Sequence, residues 1–88
     1  MSENLLEFEA IDARIVGCKV SILYPRGSSS LSGQTSLAGI VESVGEFGTA
    51  KLIRLQGSSE QILIRPKMKK LFSKEMYEPS GNPIVSLE

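Results

Sequence analysis

The side chains that carry most enzyme chemistry are scarce in this chain of 88 residues. Histidine, the commonest general base and a frequent zinc ligand, is absent. Asp12 is the only aspartate and Cys18 the only cysteine. These counts exclude a Ser-His-Asp triad, an intrachain disulfide and a cysteine-based metal site. We therefore predict a protein that is not an enzyme and that uses no cofactor and no metal.

Charge is balanced overall but unevenly distributed along the chain. Ten basic side chains offset ten acidic ones, yet residues 1–12 carry a net charge of −4 and residues 51–74 a net charge of +6. A stripe of Lys and Arg is the electrostatic footprint of phosphate contact. The candidate RNA or DNA contacts in the basic region are Lys51, Arg54, Arg65, Lys67, Lys69 and Lys70.

The same lysines also admit a structural interpretation. Exposed lysines commonly guard the edge strands of sheets, where they discourage pairing with other chains. Aromatic platforms on which bases could stack are few, since the chain has three Phe, two Tyr and no Trp. Phosphate contact and solvated surface therefore both remain open for this stretch.

Alternation of apolar and polar residues predicts four strands. They are "CKVSILY", "LAGIVESVG", "TAKLIRLQ" and "EQILIRP". The short links "GEFG" and "GSS" predict tight hairpins between the last three. The Gly- and Ser-rich stretch "RGSSSLSGQTS" predicts a long mobile loop after the first strand, which either helps to bind a ligand or only connects.

The two ends of the chain are harder to assign. The segment "ENLLEFEAIDARIV" fits helical spacing and also alternates like a strand, and we predict a short N-terminal helix. The stretch "KMKKLF" predicts one helical turn with Met68, Leu71 and Phe72 facing inward. The final "PIVSLE" either adds a terminal strand or forms a loose tail.

Several predicted strands carry apolar residues on both faces. Leu23, Leu52 and Leu63 alternate with neighbours that are themselves apolar, so these leucines lie on a second apolar face. Exposed apolar surface of this kind needs a cover. The N-terminal helix, a protein partner or a second copy of the chain would each supply one.

The order of these elements resembles that of the small SH3-like barrels, which include the KOW, Tudor and Sm-type domains. "GCKVSILY" followed by "AGIVESVG" is similar to the start of a KOW domain. The resemblance implies an all-β barrel of four to six strands over about residues 15–75, with an acidic N-terminal segment 1–14 and a C-terminal tail 76–88 in a single domain, 1–88. The aromatic "ALYDY" strand and the tryptophan of an SH3 domain are missing, so we do not expect proline-rich peptide binding.

Two functions follow as expectations. The first is a non-catalytic module that contacts RNA or DNA phosphates through the six basic residues. The second is a protein-interaction or assembly subunit, such as an accessory or inhibitor protein or a homo-oligomer, that uses Leu23, Leu52 and Leu63. The acidic N-terminus lacks the basic start of a signal peptide, and no apolar run approaches the roughly 20 residues of a membrane span. We expect a cytoplasmic protein that does not contact membranes.

Overall fold

The computed structural model describes residues 4–69, 72, 75–77 and 79–88. Within these ranges the chain is mostly β-structure in antiparallel sheets, and none of the helices is long and apolar enough to cross a bilayer. The strands are β1 (Lys19–Leu23), β2 (Ser36–Phe47), β3 (Ala50–Leu55), β4 (Gln61–Ile64), β5 (Met68–Lys69), β6 (Met76–Tyr77) and β7 (Ile84–Leu87). Five of them form a sheet in the order β4-β3-β2-β1-β7, and β5 pairs with β6 in a separate ribbon. The four predicted strands are confirmed as β1 to β4.

The long strand β2 belongs to two pairings and bends between them. Its residues 36–40 pair with β1, and its residues 41–47 pair with β3. The register shifts between Val41 and Ser43, which marks a bulge. A bulge bends and twists its strand, so the sheet curls around its own inner face. The described strands do not close into a barrel, because β4 and β7 stay at opposite edges of the sheet.

The inner face of the curled sheet is an aliphatic core. Alternate residues of the strands point inward, and six large side chains are almost completely inaccessible to solvent. They are Ile11, Val20, Ile22, Val41, Ile53 and Ile62. Ile11 comes from the N-terminal segment, as does the buried Ile15, so this segment completes the core from outside the sheet.

The prediction of an N-terminal helix is wrong. The segment forms two separate 3₁₀ turns, Phe8–Ala10 and Ala13–Ile15, and before them the Leu6 amide donates to the Val85 carbonyl at 2.8 Å. A single helix of this length is only marginally stable without tertiary contacts. Pairing with the exposed edge of β7 and burial of Ile11 outweigh the helical preference of the sequence.

Asp12 begins the second 3₁₀ turn as its cap. One carboxylate oxygen accepts from the Arg14 amide at 2.9 Å, and the Arg14 guanidinium contacts both oxygens at 2.8 to 3.0 Å. These hydrogen bonds from Arg14 lower the pKa of Asp12 to about 2. A lowered pKa stabilises the fold above the ordinary aspartate range, and this contribution is lost as the pH falls toward 2.

The hairpin between β2 and β3 is confirmed, although its turn lies further along than the "GEFG" link. Phe47 pairs with Ala50, so only Gly48 and Thr49 make the turn. Gly48 has a positive φ of 64°, which the common two-residue hairpin turns require. Residues 45–47 therefore extend β2.

The predicted helical turn in "KMKKLF" is wrong for the described residues. Met68 belongs to strand β5 and pairs with Tyr77 of β6. Met68 and Phe72 are exposed, Phe72 to 98%, so neither faces inward as predicted. Leu71 and Lys70 lie outside the described residues. The ribbon is not part of the five-stranded sheet, and its apolar side chains therefore have no core to enter. At the C-terminus, the strand alternative is confirmed as β7.

Two adjacent residues of β4 give a direct test of which face is the core. Ile62→Ala should lower the free energy of unfolding by about 2–5 kcal/mol, because Ile62 is fully buried. Leu63→Ala, on the outward face and 40% exposed, should cost less than about 1 kcal/mol. Urea unfolding of both variants measures the difference. Equal losses would contradict the assignment of faces.

Candidate functional site

Lys51 and Arg54, two members of the predicted basic stripe, lie on opposite faces of β3. Lys51 shares the inward side with Ile53, and its ammonium donates to the Phe8 carbonyl at 2.8 Å and sits 4.5 Å from the centre of the Phe8 ring. Arg54 is exposed on the outward side. Residues three apart in a strand point in opposite directions, so these two cations do not share one surface. Lys51 holds the N-terminal segment against the end of the core.

Arg65, Lys67 and Lys69 alternate along the extended segment that leaves β4, and all three are exposed. The Arg65 guanidinium donates to the Ser80 carbonyl. The Lys67 ammonium lies 3.4 Å from a carboxylate oxygen of Glu7. Lys69 is in β5, and the remaining predicted contact, Lys70, lies outside the described residues. The chain thus brings three of the six predicted cations together in one run.

The outward face of the sheet carries two directly opposed apolar pairs. Leu23 of β1 faces Ile84 of β7, and these side chains are 54% and 47% exposed. Leu52 of β3 faces Leu63 of β4. Although the N-terminal segment was one predicted cover, it packs against the inner core and leaves Leu23 and Leu63 exposed. We refer to these four residues as the outward apolar pairs.

The β5–β6 ribbon presents a second exposed apolar surface. Met68, Met76 and Tyr77 are each about half exposed, and Phe72 between the strands is almost fully so. Lys69 pairs with Met76 across the ribbon. The ribbon therefore combines flexible thioethers, aromatic rings and positive charge outside the five-stranded sheet.

The Ser-rich loop is held at its centre by Glu60, at the start of β4. The Ser30 hydroxyl donates to the Glu60 carboxylate at 3.1 Å, and the Ser32 hydroxyl donates to the same oxygen. Ser30 is buried, and it also exchanges backbone hydrogen bonds with Gln34 and Gly33. The sequence offered one weak signal for this contact, since Glu60 is the only acid within the basic region 51–74.

The electrostatics around Glu60 follow from these hydrogen bonds. The Ser32 hydroxyl, with help from Ser30, lowers the pKa of Glu60, while partial burial acts in the opposite direction. Burial raises the pKa of the neighbouring Tyr24, and the negative charge of Glu60 adds to that shift. Glu60 is therefore ionised at neutral pH and serves as the anchor of the loop.

An open cleft of about 430 Å³ separates the N-terminal segment from the end of β4. Its floor is apolar, with Ile11, Ile64 and Val85, and the Glu7–Lys67 contact lies at its rim. No cluster of three or more His, Cys, Asp or Glu side chains suited to a metal ion occurs in the part of the chain that the structure describes.

The Glu60 anchor predicts a specific change in loop dynamics. Glu60→Gln removes the negative charge that accepts hydrogen bonds from the Ser30 and Ser32 hydroxyls. The backbone amides of Gly33 and Gln34 should therefore exchange with solvent faster. The melting temperature should fall by no more than a few degrees. Low pH should have the same effect on the wild-type chain. Because the pKa of Glu60 is lowered in the folded state, its contact with the serines is fully present above the usual pKa of a glutamate. The contact is lost as the pH falls through the lowered pKa.

Hydrogen exchange followed by NMR measures this effect, with Glu42→Gln on β2 as the matched control. The control should leave the exchange of both amides unchanged. Identical exchange in Glu60→Gln and in the wild type would show that the Glu60 contact does not order the loop.

No protein-family model, no curated protein and no solved structure matches this chain. The function must therefore be inferred from the surfaces themselves.

Proposed function

We propose that the chain is a small, partly open barrel of the SH3-like kind that works as a non-catalytic protein-interaction module in the cytoplasm. The observation that carries the proposal is the exposure of the outward apolar pairs. Groups of exposed apolar side chains often mark protein-interaction sites, whereas single exposed apolar side chains are common on any protein surface. Burial of one such side chain contributes about 1.5–3 kcal/mol, so a partner that covered Leu23 and Ile84 would gain usable affinity.

The β5–β6 ribbon supports the same proposal. Interfaces are enriched in aromatic residues and methionine, and Met side chains adapt to irregular partner surfaces. Met68, Met76 and Tyr77 have this composition and are exposed in the isolated chain. In addition, three of the predicted phosphate contacts, Lys51, Arg65 and Lys67, make side-chain contacts within the fold, which leaves fewer cations devoted to an external partner.

A double substitution at one apolar pair tests the proposal. Leu23→Thr with Ile84→Thr places a β-branched residue, which suits a strand, at both positions but removes the apolar contact surface. We expect the partners captured by the wild-type chain from its own cells, and any self-association seen by sedimentation velocity, to be lost in this variant. Both mutated side chains are half exposed, so the fold should survive, as urea unfolding would confirm.

The matched control is Arg54→Thr with Gln61→Thr, which alters another directly opposed outward pair. It should leave unchanged the self-association and the capture of those partners that bind through Leu23 and Ile84. If the apolar variant captures the same partners in equal amounts and sediments in the same way, the Leu23–Ile84 pair is not an interaction surface.

Contact with nucleic-acid phosphates is the second candidate function. The supporting observation is the run of Arg65, Lys67 and Lys69, which are exposed at alternate positions of one extended segment. Each phosphate that such a cation neutralises releases bound counterions, which favours binding to a nucleic-acid backbone. Arg54, also exposed, would add a contact from the outward face, and Lys70 belongs to the same basic stretch of sequence.

Salt dependence separates phosphate contact from surface charge. Binding to labelled single-stranded RNA or duplex DNA should weaken steeply between about 50 and 200 mM salt, since cations displace counterions from phosphates. The triple variant Lys67→Gln, Lys69→Gln, Lys70→Gln should lose this binding, whereas the control Lys19→Gln should keep it. Fluorescence anisotropy provides the measurement. Absence of binding at 50 mM salt would leave these lysines as solvated surface.

A further inference from the structure

A groove of about 290 Å³ runs along the outer edge of β4. Among the residues that the structure describes, β4 is an edge strand, because β3 is the one strand that pairs with it there. One wall of the groove is formed by alternate residues of the edge, Gln61, Leu63 and Arg65, and the other by residues 28–31 of the Ser-rich loop. An unpaired strand edge presents backbone donors and acceptors that an extended chain could use.

The Asn82 side chain reveals which backbone groups face this groove. Its amide oxygen accepts from the Arg65 N–H, and its amide nitrogen donates to the Arg65 carbonyl, both at 2.9 Å. Asn82 therefore pairs with Arg65 as a neighbouring strand would, from the side away from β3. Because the backbone groups of alternate residues in a strand point the same way, the N–H and C=O of Leu63 are directed into the groove.

The opposite wall is fixed by contacts at two places. The Ser28 hydroxyl donates to the Gly81 carbonyl at 3.0 Å, and Ser30 is held by Glu60. Gly81 has a positive φ of 81°, and a Cβ there would lie only 3.3 Å from the Ser28 hydroxyl, so this close approach depends on glycine. The groove therefore lies between two walls that are each held by hydrogen bonds.

Charge indicates the composition of the strand that would fit. Arg65 lies at one end of the groove, and Lys67 and Lys69 follow it on the same extended segment. The Arg65 guanidinium donates to the Ser80 carbonyl, and it has further N–H donors of the kind that match a carboxylate. A peptide that ran antiparallel to β4 would place its N-terminal residues beside these cations.

We propose that the β4 groove binds an extended segment of a partner protein, which adds a strand antiparallel to β4 and carries acidic residues at its N-terminal end. The main chain of Leu63 supplies the hydrogen bonds, and Arg65 selects for the carboxylates. This inference rests on the proposed protein-interaction function, but it uses the backbone of the β4 edge, including that of Leu63, and it does not involve the Leu23–Ile84 pair.

Selection from a displayed library of random 12-residue peptides tests the groove, with the full wild-type chain as bait. Enriched peptides should carry Asp or Glu near their N-terminus, followed by β-branched residues. When a synthetic copy of an enriched peptide is added, the Leu63 amide should become protected from hydrogen exchange in NMR. Failure to enrich any such peptide, or binding that leaves the Leu63 amide unprotected, would overturn the proposal.

Two substitutions at Leu63 distinguish the contribution of its backbone N–H to peptide binding from that of its side chain. Leu63→Pro removes the N–H at an edge position where proline is tolerated, and it should weaken peptide binding at least tenfold. Leu63→Thr keeps the N–H and should retain binding. Equal affinity for wild type and Leu63→Pro would contradict strand addition, and if Leu63→Pro unfolds, the amide-exchange result on the wild type decides.

Arg65→Gln tests the selection for carboxylates, and it should weaken the binding of acidic peptides at least tenfold while leaving the fold intact.

The result of the peptide-binding test does not depend on the result of the test of Leu23 and Ile84. The variant Leu23→Thr with Ile84→Thr leaves β4 unchanged, so it should bind the selected peptide as the wild type does. Peptide binding lost only in that variant would place the peptide on the apolar pairs and reject the groove.

Discussion

The bend in β2 is the constraint on which the rest of the structure depends. One strand pairs with β1 through its first half and with β3 through its second, and the bulge between Val41 and Ser43 separates the two pairings. Because of this bend, side chains of β1 and of β4 reach a common core although three sheet pairings separate the two strands. A straight β2 would leave a flat sheet with its aliphatic face uncovered.

The curled sheet does not close, so β4 and β7 remain as its edges, and polar side chains hold the neighbouring segments in place. The Lys51 ammonium holds the N-terminal segment by the Phe8 carbonyl, Asn82 pairs with the backbone of Arg65, and Glu60 anchors the Ser-rich loop. Each contact joins segments far apart in sequence. Hydrogen bonds that involve a charged group, as those of Lys51 and Glu60 do, contribute more than neutral ones, which suits them to small domains with little core. The same contacts shape the cleft and the groove that border β4.

The outward apolar pairs and the β4 edge have different physical characters. The outward apolar pairs lie on the convex side of the sheet, where a partner would gain from burial of hydrocarbon. The β4 edge lies in a recess with backbone hydrogen-bonding groups and a cation at its end, where orientation matters more than area. The proposed binding at these two places would thus be non-directional at the apolar pairs and directional at the strand edge.

The sequence by itself determined the local features of this protein. Alternation located β1 to β4, since period-two burial follows from the pleat, and the residue counts limited the available chemistry. Only the tertiary structure decided the ends and the surfaces. The N-terminal segment had helical spacing, but an edge strand and a core position for Ile11 were available to it, and these long-range contacts outweigh a weak local preference. Proximity in sequence grouped Lys51 with Arg54, whereas the pleat sends them to opposite faces. The partnerships of Glu60 and Asn82 join residues 17 to 30 positions apart, a distance that no local pattern encodes.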